Sequence, residues 1–148
     1  MGFKFRLQAL LKQRKTLEEV AKREYMQAQA LVNESNRKIN SYWSDIDMAR
    51  KNVFEAQQKV GASSNYWADF DQYIKGLKVK IENEKVILRQ RLVVSEEKKE
   101  GLIQASREHK VMIKLREKME REYLLMRKKK EQKDLDDMVT MRYKRNKR

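Results

Sequence analysis

The 148-residue chain contains no cysteine and no proline, only four glycines and a single histidine, His109. Without cysteine there are no disulfides, no thiolate-bound zinc and no iron–sulfur clusters, and one histidine forms no cluster for a metal. At ordinary usage a chain of this length carries roughly seven prolines, so a fold that needs many tight turns is excluded, barrels and sandwiches first. Long apolar runs are also missing: nothing approaches 18 uninterrupted apolar residues, and Met1-Gly2-Phe3-Lys4-Phe5-Arg6 lacks the apolar block and small-residue cleavage site of a signal peptide. The expectation is a soluble, unprocessed chain. Nor is there a phosphate-cradling glycine loop, a nucleophile elbow or a paired-carboxylate constellation. Glu96, Glu97 and Glu100 are of the kind found on any exposed helical face, and His109 stands alone among apolar neighbours. No catalysis and no cofactor are expected.

What is abundant is charge and helix formers. Lys and Arg number 36 against 22 Asp and Glu, a formal net charge of +14, and 39% of residues are charged. Ala, Glu, Lys, Leu and Arg together make up about half the chain, the composition of long helices and coiled coils. Apolar residues recur at steps of three and four through Leu7, Leu10, Leu17, Ala21, Ala28, Leu31, Ile39, Tyr42, Ile46, Ala49, Val53, Ala56 and Val60, with Arg14, Glu24 and Ser35 as polar members of the stripe. Two consecutive four-residue steps, Leu31 to Ser35 to Ile39, depart from a strict heptad. A second stripe runs from Phe70 and Ile74 through Leu77, Ile81, Glu84, Leu88, Leu92, Ser95, Lys99 and Leu102 to Tyr123 and Met126. Between them lies Gly61-Ala62-Ser63-Ser64-Asn65, where Gly61 can end one helix and a Ser or Asn can cap the next.

These stripes predict an all-α fold, one long antiparallel two-helix coiled-coil hairpin: a helix over about 4–60, a corner at about 61–65, and a helix over about 66–140. Residues 127–148 would form a basic overhang. Folding back at residue 63 sets residue n opposite residue 126 minus n, so that Phe3 faces Tyr123 and both stripes end at one level. Glu24 then comes within a turn of Lys99, and the two are expected to pair across the seam and help to fix its register. A lone two-helix seam buries little area per residue, so a partner is expected. Gly76 and Gly101, inside the second helix, each cost about 1 kcal/mol relative to Ala and mark places for bending or for close approach of another chain.

The charge is unevenly placed. Residues 1–23 carry a net +5 and residues 127–148 a net +6, so the fold-back gathers eleven of the fourteen excess charges. A basic tip of this kind suits an acidic protein surface or pore, nucleic acid or anionic lipid. Nucleic-acid binding is the alternative function, although the basic residues are not interleaved with aromatics and no basic-region or helix-turn-helix pattern is present. A membrane-surface helix would need an apolar face that the seam already consumes. The run Tyr66-Trp67-Ala68-Asp69-Phe70-Asp71-Gln72-Tyr73-Ile74 is richer in aromatics than one seam requires. Large aromatics beside a corner serve either as interface anchors or as a local plug over it.

Phe3-Lys4-Phe5-Arg6-Leu7-Gln8-Ala9-Leu10-Leu11-Lys12-Gln13-Arg14, then Glu18-Glu19-x-Ala21, and after the corner Trp67-x-x-Phe70-x-x-Tyr73-Ile74-x-x-Leu77, resemble the FliJ family of bacterial flagellar type III export over essentially the full length. The resemblance implies an antiparallel two-helix coiled coil similar to the central shaft of rotary ATPases, a non-enzymatic component of the export apparatus. It implies three partners: the hexameric export ATPase, the cytoplasmic domain of the export gate, and export chaperones. Nucleic acid and small molecules are not among them. The implied location is the cytoplasm, peripheral to the inner membrane at the flagellar base. Carried over, Trp67, Phe70, Tyr73, Ile74 and Leu77 would face the gate, where Lys80 and Glu84 depart from the family's smaller or neutral side chains. Phe3, Phe5, Arg6, Leu7, Arg127, Lys128, Lys129, Lys130, Arg142, Lys144 and Arg145 would face the ATPase ring.

Overall fold

The computed structural model describes residues 2–59 and 64–147. Two helices account for nearly all of them: α1, Gln8–Lys59, and α2, Ser64–Asn146. The fold is all-α, an antiparallel helical hairpin with coiled-coil packing, as the two stripes require. Residues 60–63, with the expected corner glycine Gly61, lie outside the described residues. The helices divide into two compact units, one of residues 20–102, the other of residues 1–19 and 103–148.

In the 20–102 unit the core is a cluster of Ile46, Ile74, Leu77 and Ile81, with Ile39, Tyr42, Ala49 and Phe70 packed against it. Each fully buried Ile or Leu contributes about 1.5–3 kcal/mol relative to exposure, so this short apolar stretch carries most of the unit's hydrophobic stabilisation. Further along, the seam turns polar. Ser35 is fully buried at 0% exposure, and Ser95 and Glu84 are buried polar residues of α2, while Ala28 and Val32 are the buried apolar residues of α1 in this stretch. Ser95 Oγ donates to Gln29 Oε1 at 3.0 Å, and Arg91 Nη1 donates to Ser35 Oγ at 2.8 Å and to the Leu31 carbonyl at 2.9 Å. Glu34 Oε2 stands 3.8 Å from the same Arg91 nitrogen. The paired residue numbers add to between 122 and 126, the register expected of a fold-back at residue 63.

Three details of the seam differ from the pattern read in the sequence. Along α1 it passes through Ala21, Tyr25, Ala28, Val32, Ser35, Ile39, Tyr42 and Ile46 in unbroken alternation of fours and threes, so the two consecutive four-residue steps vanish. Leu17 and Leu31 are each 45% exposed. Along α2 Arg91, not Leu92, occupies the seam; Leu92 is 48% exposed. The cause is Ser35, whose buried hydroxyl needs a polar partner that a leucine cannot supply. The same one-residue shift replaces the expected Glu24–Lys99 pair by Glu24–Lys98, Nζ to Oε2 at 3.3 Å, while Lys99 is exposed.

In the other unit, Phe5, Leu11 and Met112 form the buried cluster, joined by Phe3, Leu7, Leu10, Ile113, Leu115 and Met119. Helix α1 starts at Gln8 rather than near residue 4. Ahead of it, Gly2-Phe3-Lys4-Phe5-Arg6-Leu7 alternates apolar and polar residues, and a non-helical segment turns alternate side chains to one side. Phe3, Phe5 and Leu7 are accordingly buried or half-buried while Lys4 and Arg6 are exposed. The Phe3 and Tyr123 rings meet at 5.6 Å between centroids, as the register predicted. Two partly exposed contacts cross the same seam: Arg14 Nη1 to Glu108 Oε2 and His109 Nδ1 to Glu18 Oε2, both at 2.7 Å. His109 is thus tied to a carboxylate on α1.

Candidate interaction surfaces

The aromatic run after the corner is divided between core and surface. Phe70, Ile74 and Leu77 fall on the seam positions of α2, and Ile74 and Leu77 are buried in the central cluster at 7% and 5% exposure. Trp67 and Tyr73 project outward, Tyr73 with 52% of its surface exposed. The Trp67 ring stands edge-on to Phe70 with centroids 6.3 Å apart, so a half-buried phenylalanine braces an exposed tryptophan. Of the five residues assigned to the gate from the sequence, two are surface groups, one is shared, and two support the others from beneath. Glu84, one turn beyond Ile81, is buried with Oε1 lacking a hydrogen-bond partner. It belongs to the seam, not to an exposed patch. Lys80 and its neighbour Lys78 are exposed, and Lys75 is tied to Asp71 at 2.9 Å, which raises the lysine pKa through the hydrogen bond and the adjacent charge.

The residues assigned to the ATPase ring are likewise divided. Phe3, Phe5 and Leu7 pack inward on α2, whereas Arg6, Arg127, Lys128, Lys129, Lys130, Arg142, Lys144 and Arg145 are exposed. Helix α2 continues to Asn146, six residues past the expected end near 140, because neither glycine nor proline follows Gly101. Lys144 and Arg145 in its last turn complement the negative end of the helix dipole. Every described residue from Leu124 onward is exposed. This stretch carries large apolar side chains as well as charge: Leu135, Met138, Val139 and Tyr143 are all more than half exposed. Their spacing of three, one and four places them on one side of the helix. The sequence reading stopped at Met126, where the seam pattern ends, and missed this second stripe; its 3–4 spacing is the signal that would have found it. Lys147 Nζ covers the Tyr143 ring at 5.0 Å, and Arg127 reaches Glu131 at 3.3 Å.

The unit that holds both termini, residues 1–19 and 103–148, carries 21 Lys and Arg against 10 Asp and Glu, eleven of the net fourteen charges. Trp43 and Phe54 on α1 are further exposed aromatics, in the 20–102 unit, that the sequence reading did not single out. Among the described residues there is no group of three or more His, Cys, Asp or Glu arranged to hold a metal ion, and no helix is long and apolar enough to cross a membrane.

A search of curated proteins and a search of solved structures each found no match to the chain. A family model described as "Flagellar FliJ protein" matches residues 3–148. That match takes in both helices, the alternating N-terminal segment and the basic end of α2, and the chain belongs to the flagellar FliJ family.

Proposed function

We propose that this component of flagellar protein export is a stalk-like coupling protein with no chemistry of its own. Its basic, termini-bearing unit docks on the hexameric export ATPase, and the aromatic surface of the 20–102 unit docks on the cytoplasmic domain of the export gate. Contacts with export chaperones are a further part of this role, and attachment to the export complex keeps the protein peripheral to the inner membrane. The observation that carries the reading is the stretch of α2 beyond Tyr123, wholly exposed and bearing both a cationic surface and the Leu135–Met138–Val139–Tyr143 stripe. A helix with both features fits an acidic protein cleft with an apolar floor better than nucleic acid, which would use the charge and leave the stripe in water. Docking would also stabilise a thin helical hairpin by mass action. On the other surface, Trp67 and Tyr73 make the contact, and Phe70, Ile74 and Leu77 hold them in place.

The test is to compare the full chain with one lacking residues 127–148 for binding to the purified ATPase at physiological salt. The truncated chain should keep the helix content of its remaining residues and bind at least tenfold more weakly. Equal binding refutes the assignment of the ring contact. Tight DNA or RNA binding by the full chain, with a steep salt dependence that competes with the ATPase, would favour the nucleic-acid reading instead.

A further inference from the structure

The exposed end of α2 carries a heptad stripe of its own. Leu124, Lys128, Glu131, Leu135, Met138 and Arg142 follow one another at steps of four, three, four, three and four, and all six are exposed. This stripe does not continue the seam. Leu135 lies twelve residues after Tyr123, which meets Phe3, and Leu124 lies twelve after buried Met112, each about 120° round the helix. The stripe is thus turned well away from α1. Glu117 and Arg121 extend it back along the hairpin, on a side that Phe3, Phe5 and Leu7 leave open.

Two residues of opposite charge, Lys128 and Glu131, interrupt the stripe, and the chain around them is arranged in blocks. Arg127, Lys128, Lys129 and Lys130 come first, followed by Glu131, Asp134, Asp136 and Asp137 with Lys133 among them. Arg127 reaches Glu131 within the helix, and none of the three aspartates forms an ion pair among the described residues. Such an order of blocks is complementary to itself when reversed. If a second copy runs antiparallel with its Leu135 level with Leu124, Lys128 falls level with its Glu131 and Arg127 lies beside its Asp134. Arg142 reaches the level of its Glu117, and Met138 meets the aliphatic stem of its Arg121. Each pair occurs twice, because the two-fold axis passes midway between Lys128 and Glu131.

Net charge does not oppose the pairing where it is made. Residues 118–141, the stretch that overlaps, hold seven Lys and Arg and six Asp and Glu. The remaining excess lies outside the overlap and is screened beyond about 8–10 Å at physiological salt. We propose that the Leu124–Arg142 face of α2 pairs antiparallel with the same face of a second copy. Leu124 and Leu135, 53% and 62% exposed in the single chain, cover each other at both ends, and the Lys128–Glu131 and Arg127–Asp134 pairs close between them. Opposite charges at the seam and its flank fix the register and the antiparallel direction. The paired face is the one assigned above to the ATPase, so self-pairing and ring docking exclude each other; that consequence alone rests on the ATPase reading.

Sedimentation of the full chain at physiological salt should show a dimer that dissociates on dilution. Two charge-reversed variants test the register: Glu131→Lys with Asp134→Lys, and Arg127→Glu with Lys128→Glu. Each alone sets like charges opposite one another and should self-associate at least tenfold more weakly. Mixed in equal amounts, the two restore every pair and should form a mixed dimer. All four positions are exposed, so helix content by circular dichroism should be unchanged. A wild-type chain that stays monomeric up to about 100 µM overturns the proposal, as does a variant that self-associates like wild type or a mixture that stays monomeric. Added ATPase should deplete the wild-type dimer. ATPase that binds the dimer without dissociating it refutes the exclusion, whereas ATPase that binds neither dimer nor monomer refutes the ring contact, and the sedimentation result still decides self-pairing.

Discussion

The most informative single perturbation in the seam is at Arg91. Its guanidinium donates to the hydroxyl of fully buried Ser35 and to the Leu31 carbonyl, at 2.8 and 2.9 Å. Arg91→Ala removes both bonds. Hydrogen bonds to a charged group are worth about 1.5–3 kcal/mol, and a buried hydroxyl left without its partner costs about 1–3 kcal/mol. The Ser35 hydroxyl can recover part of this by turning to the Leu31 carbonyl, four residues back on its own helix. The expected net cost is therefore about 1.5–3 kcal/mol. Leu92→Ala, at the neighbouring position favoured by hydrophobicity, should cost within about 0.5 kcal/mol because nearly half of that side chain is already in water. Replacing both partners, Arg91→Leu with Ser35→Ala, should recover most of the loss, since an apolar pair of similar volume leaves nothing unsatisfied. Urea unfolding followed by far-ultraviolet circular dichroism measures all three. A larger loss for Leu92→Ala than for Arg91→Ala would refute both the seam assignment and the account of why arginine occupies it.

Two further expectations concern the same unit. Glu84 is buried with an unpartnered Oε1, so Glu84→Leu should raise stability by about 1–3 kcal/mol in the same assay; a loss would mean that the carboxylate is satisfied. Leu77→Ala should destabilise by about 2–5 kcal/mol as a cavity in the central cluster, whereas Tyr73→Ala should leave stability within about 0.5 kcal/mol and weaken binding to the export gate. Equal loss of gate binding in a Tyr73→Ala variant and a Trp67→Ala variant is consistent with one surface, while no loss in either removes it.

The general plan of this protein was legible because two helices lacking proline repeat apolar residues with little interruption, and the fold-back fixes which residues meet. Phe3 against Tyr123 follows from that arithmetic alone. The exact seam was not legible wherever two adjacent residues fit a 3–4 spacing equally well. Leu31 and Val32 are both apolar, and only a partner helix decides that Val32 is buried and Leu31 is not. At Arg91 and Leu92 hydrophobicity points the wrong way, because the deciding quantity is a hydrogen bond to Ser35, 56 residues away in the chain though adjacent in space. The N-terminal segment was misread for another reason: residues 2–5 are non-helical and Arg6 and Leu7 form a turn, but a helical stripe beginning at Leu7 masks the later start of the helix. Among the surface residues, motif resemblance grouped Trp67, Phe70, Tyr73, Ile74 and Leu77 together, and only packing separates the two that face solvent from those that brace them.

The central claim is that two separate surfaces of one chain engage two different partners. A photo-crosslinking amino acid placed at Met138 on the basic helix, and in a second sample at Trp67 on the aromatic surface, tests it in the assembled export complex. The account predicts crosslinks to the ATPase from position 138 and to the export gate from position 67. Crosslinks from both positions to the same partner, or the reverse assignment, would contradict it.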